Sequence, residues 1–113
     1  MRRPIHAISI RQPYVELILR GIKKAEYRTR PTNIRGRVYL YTAKKPGDWP
    51  AGWRKVRAEP GDLPTGVIVG TVDIVGCRRR GDGYAYILSN PKRLKRKLKP
   101  KNCPNPCLWR PLF

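Results

Sequence analysis

The spacing Lys23-x-x-Glu26-x-Arg28 gathers two cations around one carboxylate. A carboxylate so placed has two uses. It can hold the cations in a fixed network, or it can join a lysine in proton transfer, because crowded charges move each other's pKa values. In the first case Glu26 is a structural component. Alternation along Lys24 to Arg30 puts Glu26 and Arg28 on one face and Ala25 and Tyr27 on the other. A polar face on an internal strand then needs partners or a ligand. Strict strand alternation would set Lys24, not Lys23, beside Glu26.

The thiols carry a second possible chemistry. Cys77, Cys103 and Cys107 are three in number, so one is left over from any pairing and reduced thiols are the expectation. Cys103-Pro-Asn-Pro-Cys107 could combine with Cys77 and the single histidine, His6, into a four-ligand zinc site. Two prolines within the spacing and the lack of a second close pair weigh against it, and no metal or cofactor is expected. A local Cys103 to Cys107 disulfide is the alternative for a thermophilic source.

Charge bounds the class of partner. The chain carries 26 Lys and Arg against 7 Asp and Glu, a formal charge of +19 on 113 residues. Such a chain repels itself unless a polyanion or counterions neutralise it. Nucleic acid, an anionic membrane surface or a ribosome-like particle would meet that demand, and a merely solvated basic surface is the plain alternative. No stretch approaches the roughly 18 apolar residues of a membrane span. The opening Met1-Arg2-Arg3-Pro4 lacks the apolar run of a signal peptide. The expectation is a cytoplasmic, monomeric protein with no membrane partner.

These groups must be held by a small number of elements. At 113 residues the chain fits one core and a single domain over 1–113. Ala7 to Ile10 suits an opening strand. Tyr14, Leu17, Ile18 and Gly21 fall on one face of a helix opened by Pro13, with Glu16 and Arg20 on the other side and Gly21 ending it in a left-handed conformation. Val38 to Ala43 reads as a strand rich in aromatic and branched residues. Residues 45–65 read as an ordered loop with a short helical turn, pinned by Trp49 and Trp53. Val67 to Val75 is a buried strand in which Gly70 marks a bulge or bend. Tyr84 to Leu88 is a further strand, stopped at Asn90-Pro91. Leu94 and Leu98 are spaced as on one helical face, limited by Pro100. The apolar tail from Cys107 to Phe113 should dock instead of fraying. The pattern suggests an α+β domain or small barrel.

Two stretches carry a family resemblance: Ser9-Ile10-Arg11-Gln12-Pro13-Tyr14 entering the helix, and Gly21-Ile22-Lys23-Lys24-Ala25-Glu26-Tyr27-Arg28 leaving it. Together they resemble the ASCH family, whose G-x-K-x-x-E-x-R signature the second stretch matches at every fixed position. Arg35-Gly36-Arg37 entering a strand that ends in Ala43-Lys44, and the closing Leu108-Trp109, are also similar to ASCH sequences. The resemblance implies a PUA-like small β-barrel flanked by one or two helices, with a cleft beside the first helix. It favours Lys23 over Lys24 as the partner of Glu26. It implies binding of RNA or single-stranded nucleic acid, with RNA cleavage or removal of an acyl group from a modified cytidine (an N4-acetylcytidine-type amidohydrolase) as the alternative.

For binding, Arg11, Lys23, Arg28 and Lys44 would meet phosphate or a base edge, Gln12 would read a base edge, and Tyr14, Tyr39 or Tyr41 would stack on an extruded base. The plain reading puts all three tyrosines in the core. Arg78, Arg79 and Arg80, with Lys92, Arg93, Lys95 and Arg96, would track the backbone outside the cleft. For metal-independent hydrolysis, Lys23, Glu26 and Lys44 are the candidate catalytic groups, with Tyr39 a further proton donor or acceptor. Amidohydrolases of this kind resemble the chain less at one point: they keep a threonine nucleophile where Glu26 stands. Thr29 and Thr42 are substitutes that no spacing selects.

Overall fold

The computed structural model describes residues 3–103 and 107–113. Strand β1 (Ala7–Ile10) leads into helix α1 (Tyr14–Leu19), then β2 (Ala25–Arg28), β3 (Gly36–Thr42), α2 (Pro50–Val56), β4 (Ile68–Arg80), β5 (Gly83–Leu98) and β6 (Leu108–Trp109). The six strands form one sheet in the order β2-β5-β4-β3-β1-β6, with β1 parallel to β3 and every other pair antiparallel. The α+β class is as the sequence suggested. The radius of gyration, 13.2 Å, matches the roughly 13 Å of a compact chain this long.

Alternation sorts the strand residues onto two faces. Ile8, Ile10, Val38, Leu40, Val72, Ile74, Tyr86 and Leu88 form the main core with Val15 and Ile18 of α1. Ala7, Tyr39, Tyr41, Ile68 and Trp109 form a second cluster, joined by Leu94 and Leu98. Leu17 turns the other way and packs with Trp53 and Val56 of α2. Helix α1 is short, so its burial holds it more than propensity does. Gly21, at φ +76°, ends it as expected. Trp53 is buried and its Nε1 donates to the Gly47 carbonyl at 2.9 Å, pinning the loop around α2.

Three expectations are corrected. Strand β5 does not stop at Asn90-Pro91 but runs on to Leu98. Asn90 takes a left-handed φ of +52°, and the register with β4 shifts between Thr71 and Asp73, so a bulge absorbs the proline. Leu94 and Leu98 then share a face because a spacing of four is even and serves a strand as well as a helix. As a consequence Glu16, expected on the solvent side of α1, is only 7% exposed. The prolonged β5 brings Arg93 across to meet it. Gly70 sits at another shift, where a side chain would strike the Lys92 carbonyl at 2.5 Å.

The barrel is not closed. The strand order is linear, and β2 and β6 have no pairing with each other among the described residues. Among the described residues β6 pairs with Ala7 and Ile8 of β1, and the Ser9 amide donates at 2.8 Å to the carbonyl of Cys107, just before β6. A side chain spans the opening there instead: Arg28 of β2 donates from Nη2 to the Ser9 carbonyl at 2.6 Å.

Candidate functional site

The opening between β2 and β1 is where the signature residues meet. An open cleft of about 530 Å³ is lined there by Ser9, Arg11, Tyr14, Glu26, Tyr27, Arg28, Ala43 and Cys107. Glu26 is buried at its wall and holds both expected cations, Lys23 Nζ at 3.5 Å and Arg28 Nη2 at 2.8 Å. Lys23 is thus the partner that the resemblance favoured, not Lys24. It reaches inward because it lies in the turn after α1, outside the alternation that governs β2. β2 itself is an edge strand, paired on one side only, with β5.

The aromatic groups are arranged around these cations. Lys23 Nζ lies 5.3 Å from the centre of the Tyr14 ring and 5.1 Å from that of Tyr27. The Arg80 guanidinium is 5.4 Å from the Tyr27 ring. Tyr27 is 53% exposed, a large ring presented to solvent with two cations upon it. Tyr14 stacks against Trp49, with ring centres 5.2 Å apart and planes 10° from parallel. Gly47 permits this approach, since a Cβ there would stand 3.1 Å from the Tyr14 ring. The loop before α2 therefore fixes one wall of the cleft. Burial pushes the Cys107 thiol up in pKa, and Arg28 opposes that only in part.

Several expected site residues lie elsewhere. Gln12 is 1% exposed and its amide is spent: Oε1 accepts from the Glu16 backbone at 3.0 Å, and Nε2 donates to the Pro64 carbonyl at 3.3 Å. It caps α1 and meets no solvent, which removes it as a base reader. Tyr39, 5% exposed, and Tyr41 belong to the second cluster, where Tyr41 packs edge-on against Trp109. They have no place in the cleft. Burial, then a contact with Cys103, pushes the Tyr41 hydroxyl up to about 12. Lys44 is exposed beyond the end of β3, while Ala43 before it reaches the cleft wall.

The basic runs divide. Arg78, Arg79 and Arg80 end β4 beside the cleft, as the Arg80 contact with Tyr27 places them. Lys92, Arg93, Lys95 and Arg96 occupy the far half of β5. Arg93 is engaged by Glu16 through two bonds of 3.0 and 2.9 Å, which gives it a structural use. Of the hydroxyls, Thr42 is buried and donates to the Val67 carbonyl at 2.8 Å. Thr29 is exposed just beyond β2. The three cysteines are unpaired, and among the described residues no cluster of metal-ligating side chains assembles. Pro104 to Pro106 lie outside the described residues.

Sequence reading missed Tyr27 as a site residue, because alternation set it opposite the Glu26 face. The available signal was an aromatic residue facing solvent on a strand flanked by cations. Trp49 was read only as an anchor for its loop, and its stacking on Tyr14 joins residues far apart in sequence.

Comparison with known proteins adds ancestry to this geometry. Residues 8–102 match the family model described as the ASCH domain. The chain is 30% identical over 127 aligned positions to human activating signal cointegrator 1 and 28% identical over 127 to its mouse counterpart. Each alignment covers 91% of this chain and 22% of the relative, so the chain spans a minor part of the length of these proteins.

Proposed function

The chain belongs to the ASCH domain family, and on that premise we propose that it is a nucleic-acid-binding module that takes one base of a single strand, most readily RNA, into the cleft beside α1. The observation that carries the reading is the exposed Tyr27 ring with Lys23 and Arg80 upon it, at the mouth of a cleft that also holds Arg11 and Arg28. Base faces stack on aromatic rings without regard to sequence, and adjacent cations neutralise the phosphates that accompany them. A base can reach such a ring only when it is unstacked, which favours single strands, loops and ends. Helix α1 is buried from Val15 to Ile18, so it is not free to enter a duplex groove. Arg78 to Arg80 extend the cationic path from the cleft along β4.

Fluorescence anisotropy with a labelled single-stranded RNA tests the reading. Wild type binds, and Tyr27→Ala binds about fivefold or more weakly with an unchanged salt dependence, as loss of one stacked base requires. Equal affinity of wild type and Tyr27→Ala would overturn the placement of the base.

A further inference from the structure

The face of the sheet away from α1 carries a second concavity. Val38 and Leu40 point to α1, so Tyr39 between them points away. Arg93 reaches Glu16 on α1, so Lys92 and Leu94 point away likewise. On this face a groove of about 570 Å³ has Tyr39, Leu94, Leu98 and Phe113 among its walls. The Phe113 ring is 52% exposed and stands edge-on to Tyr39, with centres 5.8 Å apart. Arg3 and Lys92 are at the rim, neither with a salt bridge among the described residues, and no Asp or Glu side chain is among the residues that line the groove. Arg37, also at the rim, is committed to Asp73 at 3.1 Å and to the Asn90 carbonyl at 2.7 Å.

We infer that this groove is a second binding surface for the same single strand, with a base against Phe113 and the adjoining phosphate on Lys92. The inference rests on the nucleic-acid reading of the cleft. Charge complementarity selects the occupant: an apolar floor with an exposed aromatic ring, rimmed by Arg3 and Lys92 and with no acidic side chain in its lining, suits a flat base that carries an anion. Arg96, between Leu94 and Leu98 on the same face, is exposed, and Lys95, Lys97 and Lys99 are exposed beside it. The two surfaces are joined by β5, whose Ala85 faces Tyr27 across the β2 pairing and whose Arg93 lies eight residues on. At a strand rise of about 3.3 Å per residue this stretch of β5 covers at most roughly 25 Å, less where the Asn90 bulge shortens it, so a strand of about eight stacked nucleotides is long enough to follow it.

The test compares wild type, Tyr27→Ala, Phe113→Ala and Lys92→Ala against single-stranded RNAs of four and sixteen nucleotides over a salt series, with circular dichroism as a check on folding. Phe113→Ala should weaken the sixteen-nucleotide RNA about fivefold or more at an unchanged salt slope, and Lys92→Ala should lower the slope by about 0.7, one phosphate on a single strand. The preference of wild type for the longer RNA should shrink in Phe113→Ala. If wild type binds and Tyr27→Ala weakens it while both groove variants match wild type, the groove inference falls and the cleft stands. If wild type binds neither RNA, the reading of the cleft falls with it. An acidic aromatic peptide that binds wild type but not Phe113→Ala, with RNA affinity equal in both, would assign the groove to a protein partner and overturn the inference.

Discussion

Glu26 decides how the cleft works, because it neutralises one of the two cations that it touches. If its part is to hold Lys23 and Arg28, then Glu26→Gln has two opposite effects. Stability falls by about 1–3 kcal/mol as buried charged donors lose their acceptor. Affinity for single-stranded RNA rises severalfold at low salt, since the cleft gains a net positive charge. Urea unfolding and anisotropy on the same variant check both, and weaker binding by a folded Glu26→Gln would assign Glu26 to the ligand instead. The pairing of Glu26 with Arg28 was legible from strand alternation, whereas Lys23 in place of Lys24 came from the family resemblance. Burial was not legible. Gln12 and Tyr39 have the chemistry to read a base, yet one caps a helix and the other fills a core cluster, and neither fact is local in sequence.

The position of α1 depends on contacts from β5. Burial alone would raise the Glu16 carboxyl, but hydrogen bonds and charges from Arg93 and Arg20 outweigh it and hold the pKa below its ordinary value of 4.5. A depressed carboxylate stabilises the fold above its unfolded pKa and loses that contribution as pH falls through the lower native value. Urea unfolding of wild type should therefore weaken from about pH 4.5 downward by an increment that Glu16→Gln lacks. Identical pH profiles for the two proteins would contradict the network. High salt should reduce the increment, because Arg93 is partly exposed. The helix itself, its Gly21 stop and most strands were readable from periodicity. The course of β5 past Pro91 was not, since a proline inside a strand reads as a stop unless a bulge, set by the partner strand, accommodates it.

At the scale of the whole molecule, the sheet leaves one seam unclosed among the described residues, and the proposed binding cleft lies at it. The pattern of short strands and one helix gave the α+β class, whereas the resemblance implied a barrel and not the open seam, because whether the edge strands β2 and β6 meet is a matter of long-range geometry that no local pattern encodes. Arg28 spans the gap from β2 to Ser9 and lines the cleft as well, so one side chain both ties the edges and forms part of the proposed binding surface. Around it lies a chain of charge +19. Composition alone would allow any polyanion, whereas the exposed Tyr27 ring among cations restricts the reading to a partner with unstacked bases. Affinity measured against salt concentration, with single-stranded RNA, single-stranded DNA and duplex DNA of one sequence, tests this most directly. Single strands are expected to bind more tightly than duplex, and RNA at least as well as DNA. The logarithm of affinity should fall with that of salt at a slope of about −2 or steeper, as three or more neutralised phosphates require. Undetectable binding at about 50 mM salt, an affinity indifferent to salt, or a preference for duplex would contradict it.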